Sequence, residues 1–267
     1  MKKIKINAYA ILEKVRKDKP VVHHLTNWVT IYDCANIVKV LGASPVMAHA
    51  PEEVGEMANI ASSLVLNIGT LTVDFVEAMK IAAHSANKKG IPVVLDVCGA
   101  GATKLRDDKS FELLNEVRVD IIKGNTSEIA RVAGESVKTK GVDSSHVNTN
   151  MLELVKNLAN KRKCVVVATG KQDIISDGKN TYVVNNGCEM MTHVVGTGCM
   201  AASVIGTFAA VEKDLALAAT AGLVCFEIAA ELAAQKAKGP AKFKELLFDY
   251  IYALDKKTIN KMQKVQA

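Results

Sequence analysis

Short apolar runs rich in valine and isoleucine recur along the chain, and a longer stretch of helical periodicity follows each of them. "KPVVHHL" precedes "YDCANIVKVLGA", "SPVMA" precedes "PEEVGEMANIASS", and "LVLNIG" precedes "TVDFVEAMKIAAHSANKKG". "IPVVLDV", "VDIIKG" and "CVVVATG" continue the series, each leading through glycine, asparagine or threonine toward a helix. Strands apolar on both faces need cover on both faces, and parallel neighbours need a crossover about as long as a helix. The alternation therefore predicts an α/β fold, a mostly parallel central sheet flanked by helices. At 174–184, "IISDGKNTYVV" places an Asp-Gly turn signal between two β-like runs, which predicts a hairpin at the sheet edge. From residue 193 onward the periodicity is helical, which makes the C-terminal third a layer of helices.

With 267 residues, 49% of them hydrophobic, the chain can bury one large core. No Pro-rich, Ser-rich or singly charged run divides it and no internal repeat is visible, so residues 1–267 are expected to form a single domain. The start, "MKKIKINAYAILEKVRKDKP", lacks the apolar core and small-residue cleavage site of a secretory signal, and a cytoplasmic protein is expected. The alanine-rich run 215–230 carries Glu227 and reads as a buried core helix, so no membrane partner is expected. The formal net charge is +6, but the lysines are scattered and aromatic residues make up 4%, so nucleic acid is not an expected partner either.

The cysteines lie far apart, at 34, 98, 164, 188, 199 and 225, and read as free thiols. No CxxC, CxxxH or HxxxH pair offers a structural metal site, and adjacent His23 and His24 point to opposite faces of any strand.

Chemistry concentrates where strands end. In "HVVGTGCMAAS" two glycines open a helix whose first amides lack partners, a ready place for phosphate or a developing anion. Cys199 there reads either as a thiol activated by the helix end or as a small buried hydrophobe beside a tight turn. "LDVCGAGAT" puts Asp96 at a strand end before a glycine loop, where a carboxylate can hold Mg²⁺ near phosphates. In "IIKGNTSEIA", Lys123 adds a cation, and Glu128 is either the acid of a capping box or a group that positions metal and phosphate. "VVVATGKQD" offers the Thr169 hydroxyl and an approachable Gly170 backbone, or a plain strand exit. A parallel sheet brings such ends together, and an acid, a cation, a hydroxyl and an open helix end are what phosphoryl transfer needs.

Six segments, "HHLTNWVTIYDCANIVKVLGASPVMAHAPEEV", "LNIGTL", "VVLDVCGAGAT", "KGNTSEI", "ATGKQD" and "HVVGTGCMAAS", resemble in order the motifs of the hydroxyethylthiazole kinase family, within the ribokinase-like superfamily. The resemblance spans nearly the whole chain. It implies a single ribokinase-like domain, a homotrimer with active sites at subunit interfaces, and ATP and Mg²⁺ acting on a thiazole alcohol for thiamine biosynthesis or salvage. By the same resemblance, Cys199 is the base toward the substrate hydroxyl, standing where related sugar and pyrimidine kinases have aspartate. Gly196, Met47 and Asn27 line the thiazole pocket, Lys123 and Thr169 hold ATP, and Asp96 and Glu128 lie near the metal. Two positions depart from the family pattern. Val97 and Cys98 follow Asp96 where Pro-Val is usual, and Lys123 replaces the usual arginine, keeping the charge but losing the bidentate fork.

Three other readings remain open at the level of sequence. One is a cysteine-nucleophile hydrolase or transferase, with His193, His49, His23 or His24 as the partner base. The others are a nucleotide-binding module without turnover and a kinase of another small heteroaromatic alcohol such as a hydroxymethylpyrimidine. The Gly-Cys ending, in place of Gly-Asp, favours thiazole.

Overall fold

A computed structural model describes residues 1–135 and 150–267. In chain order the elements are β1 (Lys3–Ile4), α1 (Ala8–Asp18), β2 (Val21–Leu25), α2 (Ile31–Leu41), β3 (Ser44–Val46), α3 (Val54–Ile60), β4 (Ser63–Asn67) and α4 (Val73–Lys89). There follow β5 (Val93–Asp96), α5 (Lys104–Glu116), β6 (Ile121–Asn125), α6 (Thr126–Ala133), α7 (Met151–Arg162), β7 (Val165–Thr169), β8 (Asp173–Ser176) and β9 (Thr181–Val184). A 3-10 turn (Glu189–His193) leads into α8 (Thr197–Ala209), α9 (Leu215–Lys236), α10 (Pro240–Ala253), α11 (Lys256–Met262) and β10 (Val265–Gln266).

One ten-stranded sheet runs β1-β10-β9-β8-β7-β6-β5-β4-β2-β3, parallel from β3 through β7 and antiparallel beyond. Successive strand residues face opposite sides, and the core divides accordingly. Val65, Val94, Ile121 and Val167 pack under α1, α2 and α8 to α11, whereas Leu64, Leu66, Leu95, Ile122 and Val166 pack under α3 to α7. The α/β architecture read from the alternation is the one observed. Asp177 turns the β8–β9 hairpin by accepting from Lys179 N and Asn180 N at 2.8 and 2.6 Å. That hairpin is not at the edge, as the sequence suggested, because β10 and β1 add two further strands outside it. Two-residue strands carry no periodicity to read, and the C-terminal helical layer ends in one of them.

α9 is long and apolar enough by composition to cross a membrane, but most of its surface is buried against α8, α10 and α1. α8 lies close across β4 and β5. Gly206 permits this approach: a Cβ at that position would stand 2.3 Å from Val65 Cγ2. Gly206→Ala is expected to cost about 1–3 kcal/mol by overpacking, read as a melting temperature lowered by roughly 2–4 °C per kcal/mol. An unchanged melting curve would contradict this account of the α8–sheet contact.

The path of the chain positions the site. It leaves β2 outward to β3, then returns to the other side of β2 to form β4. Strand order reverses there, and the crevice beyond the carboxyl ends of β2 and β4 is where open α/β sheets take ligands.

Candidate active site

A row of polar side chains crosses the carboxyl ends of three neighbouring strands. Asn67 ends β4 opposite Asp96, which ends β5, and Asp96 is in register with Lys123 of β6. All three are almost wholly buried. Asp96 Oδ2 accepts from Asn67 Nδ2 at 2.9 Å and from Lys123 Nζ at 3.2 Å. Asp96 Oδ1 is buried and has no hydrogen-bond partner among the described residues. A buried carboxylate oxygen without a donor is costly to maintain, and in this position it suits a ligand absent from the bare chain.

α8 points its N-terminus at this row. Its N-cap is Gly196, at φ 94°, and no side chain caps the helix. A Cβ on Gly196 would lie 2.6 Å from Thr30 Cγ2, so both the left-handed backbone and the close approach require glycine. The first helical amides, those of residues 197–199, therefore face outward without intrahelical partners. Lys123 Nζ stands 3.3 Å from where a Cβ on Gly198 would be, which sets the ammonium against the helix end. Cys199 Sγ accepts from Asn27 Nδ2 at 3.2 Å and Asn67 Nδ2 at 3.4 Å. Asn27 Nδ2 also donates to Asn67 Oδ1 at 2.9 Å.

These contacts set the protonation of the thiol. A hydrogen bond from Cys98 holds the Cys199 thiol down at about 5, burial opposes the shift, and the Lys123 charge and bonds from Thr30 and Asn27 assist it. The Cys98 thiol is pushed strongly upward in return, by that bond and by burial. Burial drives Asp96 up to about 8 against the attraction of Lys123. Burial also works against the Lys123 charge, but the acids and sulfurs around it outweigh burial, so the ammonium stays protonated.

Glu128 forms the capping box of α6. Its Oε2 accepts from Asn125 N at 2.7 Å, and Asn125 Oδ1 accepts from Glu128 N at 2.9 Å. Its Oε1 accepts from Gly99 N at 2.7 Å, which ties α6 to the glycine loop after Asp96. Arg106 fixes the same loop, donating from Nη1 to Cys98 O and Ile68 O and from Nη2 to Gly69 O. Thr169 ends β7 in register with Asn125 and donates to Gly124 O at 3.3 Å, placing it on the far side of β6 from Asp96. Met47 sits at the opposite flank, in the loop after β3. His23 Nε2 donates to Ala48 O at 2.8 Å and anchors that loop to β2.

Asn27, Asp96, Lys123, Gly196 and Cys199 thus meet at one place, with Glu128 buttressing its loop. Met47 and Thr169 flank it on either side. Asn67 joins the parts and had been given no role from sequence. In the sequence it stands in the segment "LNIGTL" and closes the apolar run "LVLN", at the level where the next strand has its aspartate.

Among the described residues the Cys199 sulfur has no histidine partner. His24 is buried, lowered to about 4 by that burial, and bonds to Val22 O and Ser203 Oγ. His23 faces the other side of the sheet toward Ala48, as expected for adjacent strand residues, and His49 sits edge-on to Trp28. His193 closes the 3-10 turn before α8. The geometry therefore opposes a cysteine–histidine nucleophile.

Beside Thr169, Asp173 Oδ1 accepts from Gly170 N at 2.9 Å, and its carboxyl shares a hydrogen bond with Glu227 of α9. Burial, then the charge of Asp173, holds Glu227 well above its ordinary value of 4.5. A carboxyl raised in the folded chain keeps a proton that the unfolded chain has released. The contribution of Glu227 to stability is therefore fullest below about pH 4.5 and is lost as pH rises through the folded value. Glu227→Gln is expected to flatten that fall, which in the wild type has a limiting slope of about 1.4 kcal/mol per pH unit. Parallel pH series of melting temperature for the two proteins check this, and parallel curves would contradict it.

The profile of the hydroxyethylthiazole kinase family matches residues 12–257. The chain belongs to that family. A hydroxyethylthiazole kinase of Methanosarcina mazei is 53% identical over 255 residues, covering 96% of this chain and 98% of the relative. One from Thermoanaerobacter pseudethanolicus is 49% identical over 258 residues, with 96% and 98% covered. The solved structure of a hydroxyethylthiazole kinase protein from Pyrococcus horikoshii superposes with a TM-score of 0.90 at 41% identity, covering 97% of this chain and 98% of that one. A ribokinase-like superfamily protein from Enterococcus faecalis, 12% identical with a TM-score of 0.66, shares the fold. Both the family and the ribokinase-like fold inferred from the motifs are thus the ones found.

Proposed function

We propose that this chain, a kinase of the hydroxyethylthiazole kinase family, transfers the γ-phosphoryl group of ATP to the primary alcohol of 5-(2-hydroxyethyl)-4-methylthiazole at the N-terminus of α8. The observation that carries the reading is the convergence of Asp96, Lys123, Asn67 and Cys199 beneath uncapped helical amides. Asn27, Gly196 and Met47 line the thiazole pocket. Cys199 accepts the hydroxyl proton, with Asn27 and Asn67 orienting its sulfur. The amides of residues 197–199 and the Lys123 ammonium stabilise the negative charge of the moving phosphoryl group. A thiolate is a weak base for an alcohol. The largely dissociative transition state needs little early proton removal, so positioning and electrostatics dominate. Thr169 and the Gly170 backbone hold the nucleotide.

The residues present also fit Mg²⁺. No cluster of three or more His, Cys, Asp or Glu able to hold a metal exists among the described residues, so a cage made wholly of protein is not offered. Mg²⁺ is ordinarily held by one or two carboxylates together with phosphates and water, and the unpartnered Asp96 Oδ1 supplies such a ligand. Glu128, with both oxygens engaged by backbone amides, acts through the loop it holds and through water. When bound, the ion would neutralise charge on the β- and γ-phosphates.

A homotrimer with its sites at subunit interfaces completes the proposal. Val29, Tyr32 and Val195 are 66%, 76% and 73% exposed and Trp28 is half-exposed; Trp28 and Val195 adjoin Asn27 and Gly196 in the chain, and Val29 and Tyr32 follow within five residues of Asn27. Exposed apolar side chains on the segments that carry site residues suit burial by another subunit. A cytoplasmic role in thiamine biosynthesis or salvage, with small-molecule partners, follows from the same reading.

ADP release measured over a panel of alcohols tests the proposal. Thiazole-dependent ADP with an equal yield of the phosphate ester supports it. Preference for a hydroxymethylpyrimidine would move the substrate within the superfamily, and ATP binding without ADP release would overturn turnover altogether.

A further inference from the structure

Three loops meet at Trp28. Its backbone N donates to Thr70 Oγ1 at 3.0 Å, in the loop between β4 and α4, and its ring lies 5.6 Å from that of Phe75 in the first turn of α4. On another side stands His49, its ring edge-on at 4.8 Å and 82°. His49 follows Met47 by two residues in the loop after β3, and Trp28 follows Asn27 directly. The ring pair therefore joins the loop of Asn27 to the loop of Met47. Each loop is also pinned from within. Gly69 packs so closely on Asn27 that a Cβ there would stand 2.9 Å from Asn27 Nδ2. On the other loop, Val46 is in register with His23, and His23 Nε2 donates to Ala48 O at 2.8 Å. Met47 lies between these two anchored residues, and the contact of His49 with Trp28 holds the same loop toward Asn27.

We infer that Trp28, through its contact with His49, is a positioning residue that selects the heteroaromatic alcohol by holding the Met47 loop at a fixed spacing from the Asn27 loop. A flat ring binds well between walls already in place, because a wall that must be ordered on binding subtracts that cost from affinity. The effect is confined to one side of the site. Trp28 and His49 follow β2 and β3, whereas Thr169 ends β7, with β6, β5 and β4 between β7 and β2. Loosening the ring pair therefore weakens the hold on the alcohol and leaves the nucleotide side as it is. That the two loops face the alcohol rests on the proposed function; that the rings join the loops does not.

Binding and turnover are read separately. Calorimetry gives the Kd of the thiazole alcohol for the full chain, and steady-state kinetics give kcat and both KM values, for wild type, Trp28→Ala, Trp28→Phe, His49→Ala and the double alanine variant. Trp28→Ala and His49→Ala are each expected to raise the Kd and KM of the alcohol by roughly 3- to 10-fold, with kcat and the KM of ATP within about twofold of wild type. Trp28→Phe keeps an aromatic face and is expected to recover most of the loss. Because the two rings act through one contact, the double variant is expected to bind no more weakly than the weaker single variant. The chain has one tryptophan, so a tryptophan emission spectrum that differs between wild type and His49→Ala reports the contact itself. Should Trp28→Ala fail to fold, His49→Ala carries the same expectation alone. Unchanged alcohol binding in the folded variants, or equal losses for alcohol and ATP as from general loosening or a lost subunit contact, would overturn the role of Trp28. A wild type that binds the alcohol but releases no ADP would overturn the proposed reaction, while the ratios of Kd would still decide the role of Trp28.

Discussion

Cys199→Ala is expected to lower kcat by roughly 10²–10⁴-fold, the range for removing a general base, and to leave a rate above background. The residual rate is the informative part. The uncapped amides of residues 197–199, the Lys123 ammonium and the acid of Asp96 all remain in the variant, and positioning with electrostatic stabilisation does most of the work in phosphoryl transfer. Removing the sulfur leaves a small void, but Asn27 Nδ2 still donates to Asn67 Oδ1 and Asn67 Nδ2 to Asp96 Oδ2, so the fold is expected to survive. Steady-state kinetics beside a melting curve check both points. A folded variant with no rate above background would indicate an obligatory covalent thiol instead of a base.

Asp96→Asn is expected to reduce kcat by roughly 10³-fold, since a metal-assisted clamp on phosphates supplies several kcal/mol of transition-state stabilisation. The amide keeps the shape of the side chain and an acceptor for Asn67, but it withdraws the charge facing Lys123 and the carboxylate whose free buried oxygen suits the ion. Activity that remains should require a higher Mg²⁺ concentration for half-saturation. A titration of kcat against Mg²⁺ for both proteins reads this directly. A variant with reduced kcat but an unshifted Mg²⁺ requirement would show that Asp96 serves Lys123 and not the metal.

Much of this arrangement could be read from the chain because parallel α/β architecture writes itself into local pattern. Buried strands are continuously apolar, as in "PVVLDV", and the polar residue that interrupts such a run stands where the strand leaves the core. Asp96, Lys123 and Thr169 are all of that kind, and strand adjacency brings them into one neighbourhood. The start of α8 is equally visible in Gly196, which marks the turn, whereas the contact of Gly206 with Val65 arises from packing between distant segments. What escaped depends on register and on contacts between distant segments. Asn67 gains its importance from lying opposite Asp96 and reaching Cys199, neither of which its own sequence neighbours encode. The outermost strands β1 and β10 escaped for another reason: each holds two residues, and tertiary pairing alone makes them strands.

A structure with Mg²⁺, the thiazole alcohol and a non-hydrolysable ATP analogue tests the central claim, that donor, cation and acceptor meet at the start of α8. The account predicts the alcohol oxygen within about 3.5 Å of Cys199 Sγ, the terminal phosphate on the amides of residues 197–199, and the ion against Asp96. Alcohol and terminal phosphate bound in separate cavities, or an alcohol remote from Cys199, would contradict it.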